Sequence, residues 1–158
     1  MAGNFWRTFA IVLALVGLLS GCAGAPSPPP SSQGAMAPFP QGRRGPQEVA
    51  LEQALGEFYG APYRSGGTTP QGVDCSGLIQ AAFAAARVTV PRVVGPQFAA
   101  STEVAMSDLR PGDVVFYADM SHVGLYVGDG KVIHAPRPGR TVEVTGLSGY
   151  SKAGRYLS

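Results

Sequence analysis

The chain has 158 residues, enough for one folded domain with a tail. Charged residues make up 14% and the formal net charge is +2; with no basic run or arginine-rich arm, the balance excludes an electrostatic nucleic-acid binder. The two cysteines, Cys22 and Cys75, would ordinarily suggest one disulfide in an exported protein, but Cys22 sits at a processing site, which leaves Cys75 as an odd thiol.

Residues 1–21 hold one positive residue, Arg7, and an apolar run of eleven residues from Phe9 to Leu19. That fits the apolar region of a signal peptide and falls short of the roughly 18 residues a membrane span needs. The run ends in Leu19-Ser20-Gly21-Cys22, which resembles a bacterial lipobox. The resemblance implies cleavage before Cys22, a diacylglycerol on its thiol and acylation of the new amine, so that two or three chains give a stable membrane anchor. An ordinary cleaved signal with an incidental Cys22 is the plainer alternative. Ala23 is not the aspartate that resembles an inner-membrane retention signal, so in a bacterium with two membranes the periplasmic face of the outer membrane is the expected address. Residues 22–46 carry the lipidated cysteine and a Pro-rich stretch without hydrophobic periodicity, expected to be a disordered tether.

Residues 47–158 are expected to form the folded domain. Val49, Leu51, Ala54, Leu55 and Phe58 recur at helical spacing, and Gly60 with Pro62 stops the run. After a glycine-rich loop, Asp74 is a plausible N-cap for a second helix from Cys75 to about Arg87, with Leu78, Ile79 and Phe83 facing inward. A short helix is expected near Pro96 to Ala100. Beyond the turn signal Leu109-Arg-Pro-Gly-Asp113, the stretches Val114–Tyr117, His122–Val127, Lys131–His134 and Thr141–Val144 read as strands, with Gly128-Asp129-Gly130 as a hairpin turn. Helices followed by a strand meander give an α+β domain, its N-terminal helices packed on a small antiparallel sheet.

Cys75, His122 and His134 combine the nucleophilic and basic properties that acyl transfer needs, and the chain has only these two histidines. A thiol in the first turn of a helix gains from the helix dipole and the free backbone N–H groups, which can also receive a developing oxyanion. A three-residue loop between the two strands would put His122 and His134 on one face as diagonal neighbours. One imidazole could then act as base and the other orient it. A small buried Cys with hydrogen-bonded structural histidines is the plainer alternative, and a Cys-His-His zinc site would lack a usual fourth ligand.

At Pro62-Tyr63-Arg-Ser-Gly66-Gly67, Gly72-Val-Asp74-Cys75-Ser76-Gly77-Leu78, Leu109-Arg-Pro111-Gly112-Asp113, His122-Val-Gly124-Leu-Tyr-Val-Gly128 and Ile133-His134-Ala135, the sequence resembles the NlpC/P60 family of peptidoglycan cysteine peptidases. The resemblance implies a papain-like α+β core, with Cys75 as nucleophile, His122 as general base and His134 as the orienting residue. It further implies that Tyr63 lines the oxyanion or substrate pocket and that Asp74 and Ser76, flanking the nucleophile, hold a substrate amine as in some members of the family. Packing beneath the glycine loop is the alternative for Tyr63, and pure N-capping the alternative for Asp74. The implied reaction is thioester-mediated hydrolysis of an amide in a peptidoglycan stem peptide or crosslink, needing no cofactor or metal, by a monomer. An amidase or acyltransferase of the same superfamily, or a weakly active wall-binding adaptor lipoprotein, are the other expectations open.

Overall fold

The computed structural model describes Phe39 and residues 44–158; the leader, Cys22 and most of the tether lie outside the described residues. The first helix, α1 (Pro46–Phe58), starts on a proline, whose missing N–H costs nothing at that position, and the Glu48 carboxylate accepts the Gly45 N–H at 2.7 Å. It buries Leu51, Ala54, Leu55 and Phe58, while Val49 turns outward at 38% exposure. A two-stranded ribbon, β1 (Thr68–Thr69) with β2 (Gly72–Val73), leads into α2 (Cys75–Ala85). Helix α2 ends two residues before the expected Arg87, which adopts a positive φ of 60°. A shorter α3 (Val94–Ala100) follows.

The remaining strands are β3 (Thr102–Val104), β4 (Val114–Tyr117), β5 (Val123–Gly128), β6 (Lys131–His134), β7 (Glu143–Gly146) and β8 (Tyr150–Arg155). They form one antiparallel sheet in the order β3-β8-β4-β5-β6-β7. The domain is therefore α+β, as the pattern of helices then strands predicts. Val114, Phe116, Val123, Leu125 and Ile133 join the buried side chains of α1 and α2 in the main core, while Val115, Val132, Tyr150 and Ala153 form a second cluster. At the sheet's other end Arg155 pairs with Asp113, which is only 1% exposed, through two contacts of 2.7 Å.

Three further details differ from expectation. The strand expected at Thr141–Val144 begins two residues later, because residues 140–142 pair instead with the loop before the ribbon. Val142 N–H donates to Ala61 at 2.8 Å, Gly60 N–H to Val142 at 3.0 Å and Tyr63 N–H to Arg140 at 2.9 Å. The β5–β6 connection is not a three-residue loop: Gly128 pairs with Lys131 across Asp129-Gly130, and a register shift between Tyr126 and Gly128 supplies the extra residue. A bulge changes strand parity just as a longer loop does, so the two histidines still share a face. Finally, Phe39, within the stretch read as tether, is 2% exposed and belongs to the main core, its N–H donating to Glu52 at 2.8 Å.

Candidate active site

Cys75 is the first residue of α2 and is free and half-buried. The turn that places it is built around Asp74, whose carboxylate accepts the N–H of Gly77 at 2.7 Å as an N-cap and that of Gly66 at 2.7 Å from the preceding loop. Glycine at position 77 is dictated by close approach, since a Cβ there would lie 2.1 Å from the Gly67 carbonyl oxygen. The loop thus lies directly over the first turn of the helix.

Arg92 completes this arrangement, although no motif in the sequence marks it. Its two Nη atoms grip the Asp74 carboxylate at 2.9 and 2.6 Å, and Nη1 also donates to Ser76 Oγ at 2.8 Å. Burial opposes ionisation of Asp74, but Arg92 and the N–H groups of Gly77 and Gly66 outweigh it and hold its pKa below the ordinary carboxylate value. Asp74 and Ser76 are therefore engaged inside the protein, and holding a substrate amine on this carboxylate would require Arg92 to let go. The arginine falls in a stretch, Val88 to Met106, with no readable periodicity, so only the fold reveals its partner.

Cys75 packs against the edge of the main core at the first turn of α2. Burial is the largest influence on the thiol and pushes its pKa up; the Ser76 N–H opposes this, Asp74 adds to it, and the Val123 N–H again opposes it. Tyr63 is pinned near the sulfur by its bond to Arg140 and by a bridge to Val73. Its hydroxyl pKa is raised first by burial, then by the proximity of Cys75 and Asp74.

His122 immediately precedes β5 and His134 closes β6; both are at most 9% exposed. His122 Nε2 lies 2.7 Å from His134 Nδ1, the diagonal contact expected from the strand register. Burial lowers the His122 pKa to about 4, with His134 adding to the effect, and burial likewise lowers that of His134. Both rings are therefore neutral near neutral pH, as is the thiol. Two further groups, which no sequence motif marks, reach His134: Tyr150 Oη stands 3.1 Å from Nδ1, and Thr145 Oγ1 stands 3.2 Å from Nε2. Among the described residues, no three of His, Cys, Asp and Glu are grouped so as to hold a metal ion.

The site thus offers a nucleophilic atom at a helix start, a neutral imidazole and a second imidazole bonded to the first. The NlpC/P60 family model matches residues 60–157, and the chain belongs to the NlpC/P60 family. A probable endopeptidase of Mycobacterium tuberculosis is 41% identical over 122 residues, which cover 77% of this chain and 31% of the relative. A gamma-D-glutamyl-L-lysine dipeptidyl-peptidase of Bacillus subtilis is 39% identical over 97 residues, 58% of this chain and 33% of the relative. Among solved structures, an NlpC/P60 family protein of Bacillus cereus superposes with a TM-score of 0.66 at 34% identity, over 77% of this chain and 42% of that one. The M. tuberculosis peptidoglycan hydrolase RipB gives a TM-score of 0.63 at 28% identity, over 71% of this chain and 65% of that one. The chain spans about a third of the length of these curated relatives.

Proposed function

We propose that the protein is a peptidoglycan endopeptidase that hydrolyses an amide of a stem peptide or crosslink through a thioester on Cys75. The observation that carries the reading is the 2.7 Å contact between His122 and His134, in a domain whose free, half-buried thiol is the first residue of α2. Relatives named as endopeptidases and a neighbour named as a peptidoglycan hydrolase support it. As the sulfur attacks the scissile carbonyl, His122 takes the thiol proton and the C=O π pair moves onto oxygen. The backbone N–H groups of Cys75 and Ser76 at the start of α2 and the Tyr63 hydroxyl are the donors that would receive that oxyanion. Collapse expels the amine, which leaves with the proton from His122. Water, deprotonated by the same imidazole, then cleaves the thioester and restores the thiol.

The bond between D-glutamate and the diamino acid within a stem is the first candidate, since the B. subtilis relative is named for a γ-D-glutamyl-L-lysine linkage; a crosslink between stems is the second. The lipid anchor on Cys22 would hold the enzyme on a membrane facing the wall, most simply the periplasmic face of the outer membrane. The test is to incubate the 158-residue chain and its Cys75→Ser variant with purified muropeptides and to identify products by mass spectrometry. Cleavage by the parent alone, at an amide, is expected. Equal inactivity of both would leave a wall-binding adaptor, and transfer of the acyl group to an added amine in place of hydrolysis would mark an acyltransferase.

A further inference from the structure

We propose that Thr145 and Tyr150 are positioning residues that fix His134 in the tautomer protonated at Nε2, and so decide whether His122 can act as a base. The inference rests on the Cys75–His122–His134 reading above. A neutral imidazole carries one ring proton, and His134 has polar neighbours at both nitrogens: His122 Nε2 at 2.7 Å and Tyr150 Oη at 3.1 Å from Nδ1, and Thr145 Oγ1 at 3.2 Å from Nε2.

Two proton arrangements satisfy the His–His contact. With the proton on His134 Nε2, that nitrogen donates to Thr145 and the bare Nδ1 accepts from His122 Nε2–H. The remaining nitrogen of His122, Nδ1, is then bare and able to take the thiol proton. With the proton on His134 Nδ1 instead, it is donated to His122 Nε2, and the His122 proton must sit on Nδ1, where no base remains for Cys75. The two tautomers are a working and a non-working form of the same side chains.

The surroundings favour the first. A phenol is a far better donor than acceptor, and burial holds the Tyr150 hydroxyl well above its ordinary pKa, so it stays a donor; at 3.1 Å it can share the one lone pair of a bare Nδ1 with the closer His122 N–H, whereas a protonated Nδ1 would face it with a second donor. Thr145 can accept from Nε2–H while its own proton turns to the Gly146 carbonyl oxygen, 3.5 Å away. With His122 and His134 both buried, water is poorly placed to supply either contact.

The sheet register brings these groups together. Tyr150 pairs with Tyr117, and Val132 pairs with Thr145, two residues along β6 from His134. Gly124 belongs to the same device: a Cβ there would lie 2.4 Å from Val132 Cγ1 and 2.9 Å from the Tyr150 hydroxyl. Any larger residue would push that hydroxyl off His134.

The test combines nitrogen-15 NMR of the imidazole rings with steady-state kinetics on muropeptides, using the whole chain with Thr145→Val, Thr145→Ser and Tyr150→Phe. The parent should show His134 protonated at Nε2. Thr145→Val and Tyr150→Phe should each shift population to the Nδ1-protonated form and lower kcat about tenfold or more with little change in KM, as expected for loss of an orienting contact. Thr145→Ser, which keeps the hydroxyl, should restore both. Ring protonation unmoved in both Thr145→Val and Tyr150→Phe, or Thr145→Ser behaving like Thr145→Val, would overturn the proposal. A parent inactive on every muropeptide, with tautomers moving as described, would instead sink the peptidase reading and leave the tautomer control standing.

Discussion

The depressed basicity of His122 sets how the site should respond to acid. An ordinary histidine loses its value as a base below about 6.5, but His122, with a pKa brought down to about 4 by burial and by His134, stays neutral well below that. At the other end, burial raises the Cys75 thiol, so thiol and imidazole coexist as a neutral pair across a wide span. The acidic limb of kcat/KM should therefore fall near pH 4, with a plateau through neutrality; a limb near 6.5 would show that His122 is solvated in the working enzyme. The same shift weakens the fold in acid. Below about 6.5 the unfolded chain takes up the His122 proton and the folded one does not, so that stability is full above this value and declines as pH falls toward 4. Circular dichroism at each pH separates lost fold from lost base. Cys75, His122 and His134 are legible in the sequence as candidates because so few residue types can do such chemistry. Thr145, Tyr150 and Arg92 were not, because threonine, tyrosine and arginine are common, and only strand register or a long-range ion pair gives these three their partners.

Among the elements, α2 depends most on its first turn. Asp74 caps it, ties the Gly66 loop to it and accepts both Nη atoms of Arg92. Removing the carboxylate leaves the Gly66 and Gly77 N–H groups without an acceptor and Arg92 without a counter-charge. A lost cap costs about 1 kcal/mol, and breaking a fully buried ion pair costs about 3–5 kcal/mol. Because the Arg92 side chain is 32% exposed, the pair contributes less than that range. Asp74→Ala should destabilise by about 2–3 kcal/mol in urea unfolding and lower kcat by disordering the turn that carries Cys75, whereas Asp74→Asn, which can still cap, should recover part of the stability. An effect under about 0.5 kcal/mol would mean that the cap and the Arg92 pair are not engaged in solution. The helix itself was readable from its cap and apolar spacing. The strands β3 and β8 and the start of β7 were not: Tyr150–Arg155 contains Ser, Lys and Gly and lacks the apolar alternation that marks a strand, and residues 140–142 are claimed by a loop far away in sequence.

At the scale of the whole molecule, one residue of the stretch read as tether belongs to the core. Pro-rich sequence reads as tether up to residue 46, yet Phe39 packs into the main core at 2% exposure. It is not held by burial alone, since its N–H donates to Glu52 of α1, and the other carboxylate oxygen of Glu52 pairs with Arg44. A single aromatic ring in a proline-rich stretch has no periodicity to announce it, so such an anchor is invisible to pattern reading. Truncating a buried phenylalanine costs about 3–5 kcal/mol in a protein core, and the low end is taken here. Phe39→Ala should therefore lower stability by about 3 kcal/mol, and a chain beginning at residue 45 should lose a similar amount relative to one beginning at residue 38. Because Phe39 is remote in sequence from Cys75, His122 and His134 and bonds to none of them, kcat on muropeptides should stay within about twofold while the unfolding midpoint drops. Equal midpoints for the two truncated chains would show that the segment before α1 adds nothing to the core, and would return the boundary to residue 46.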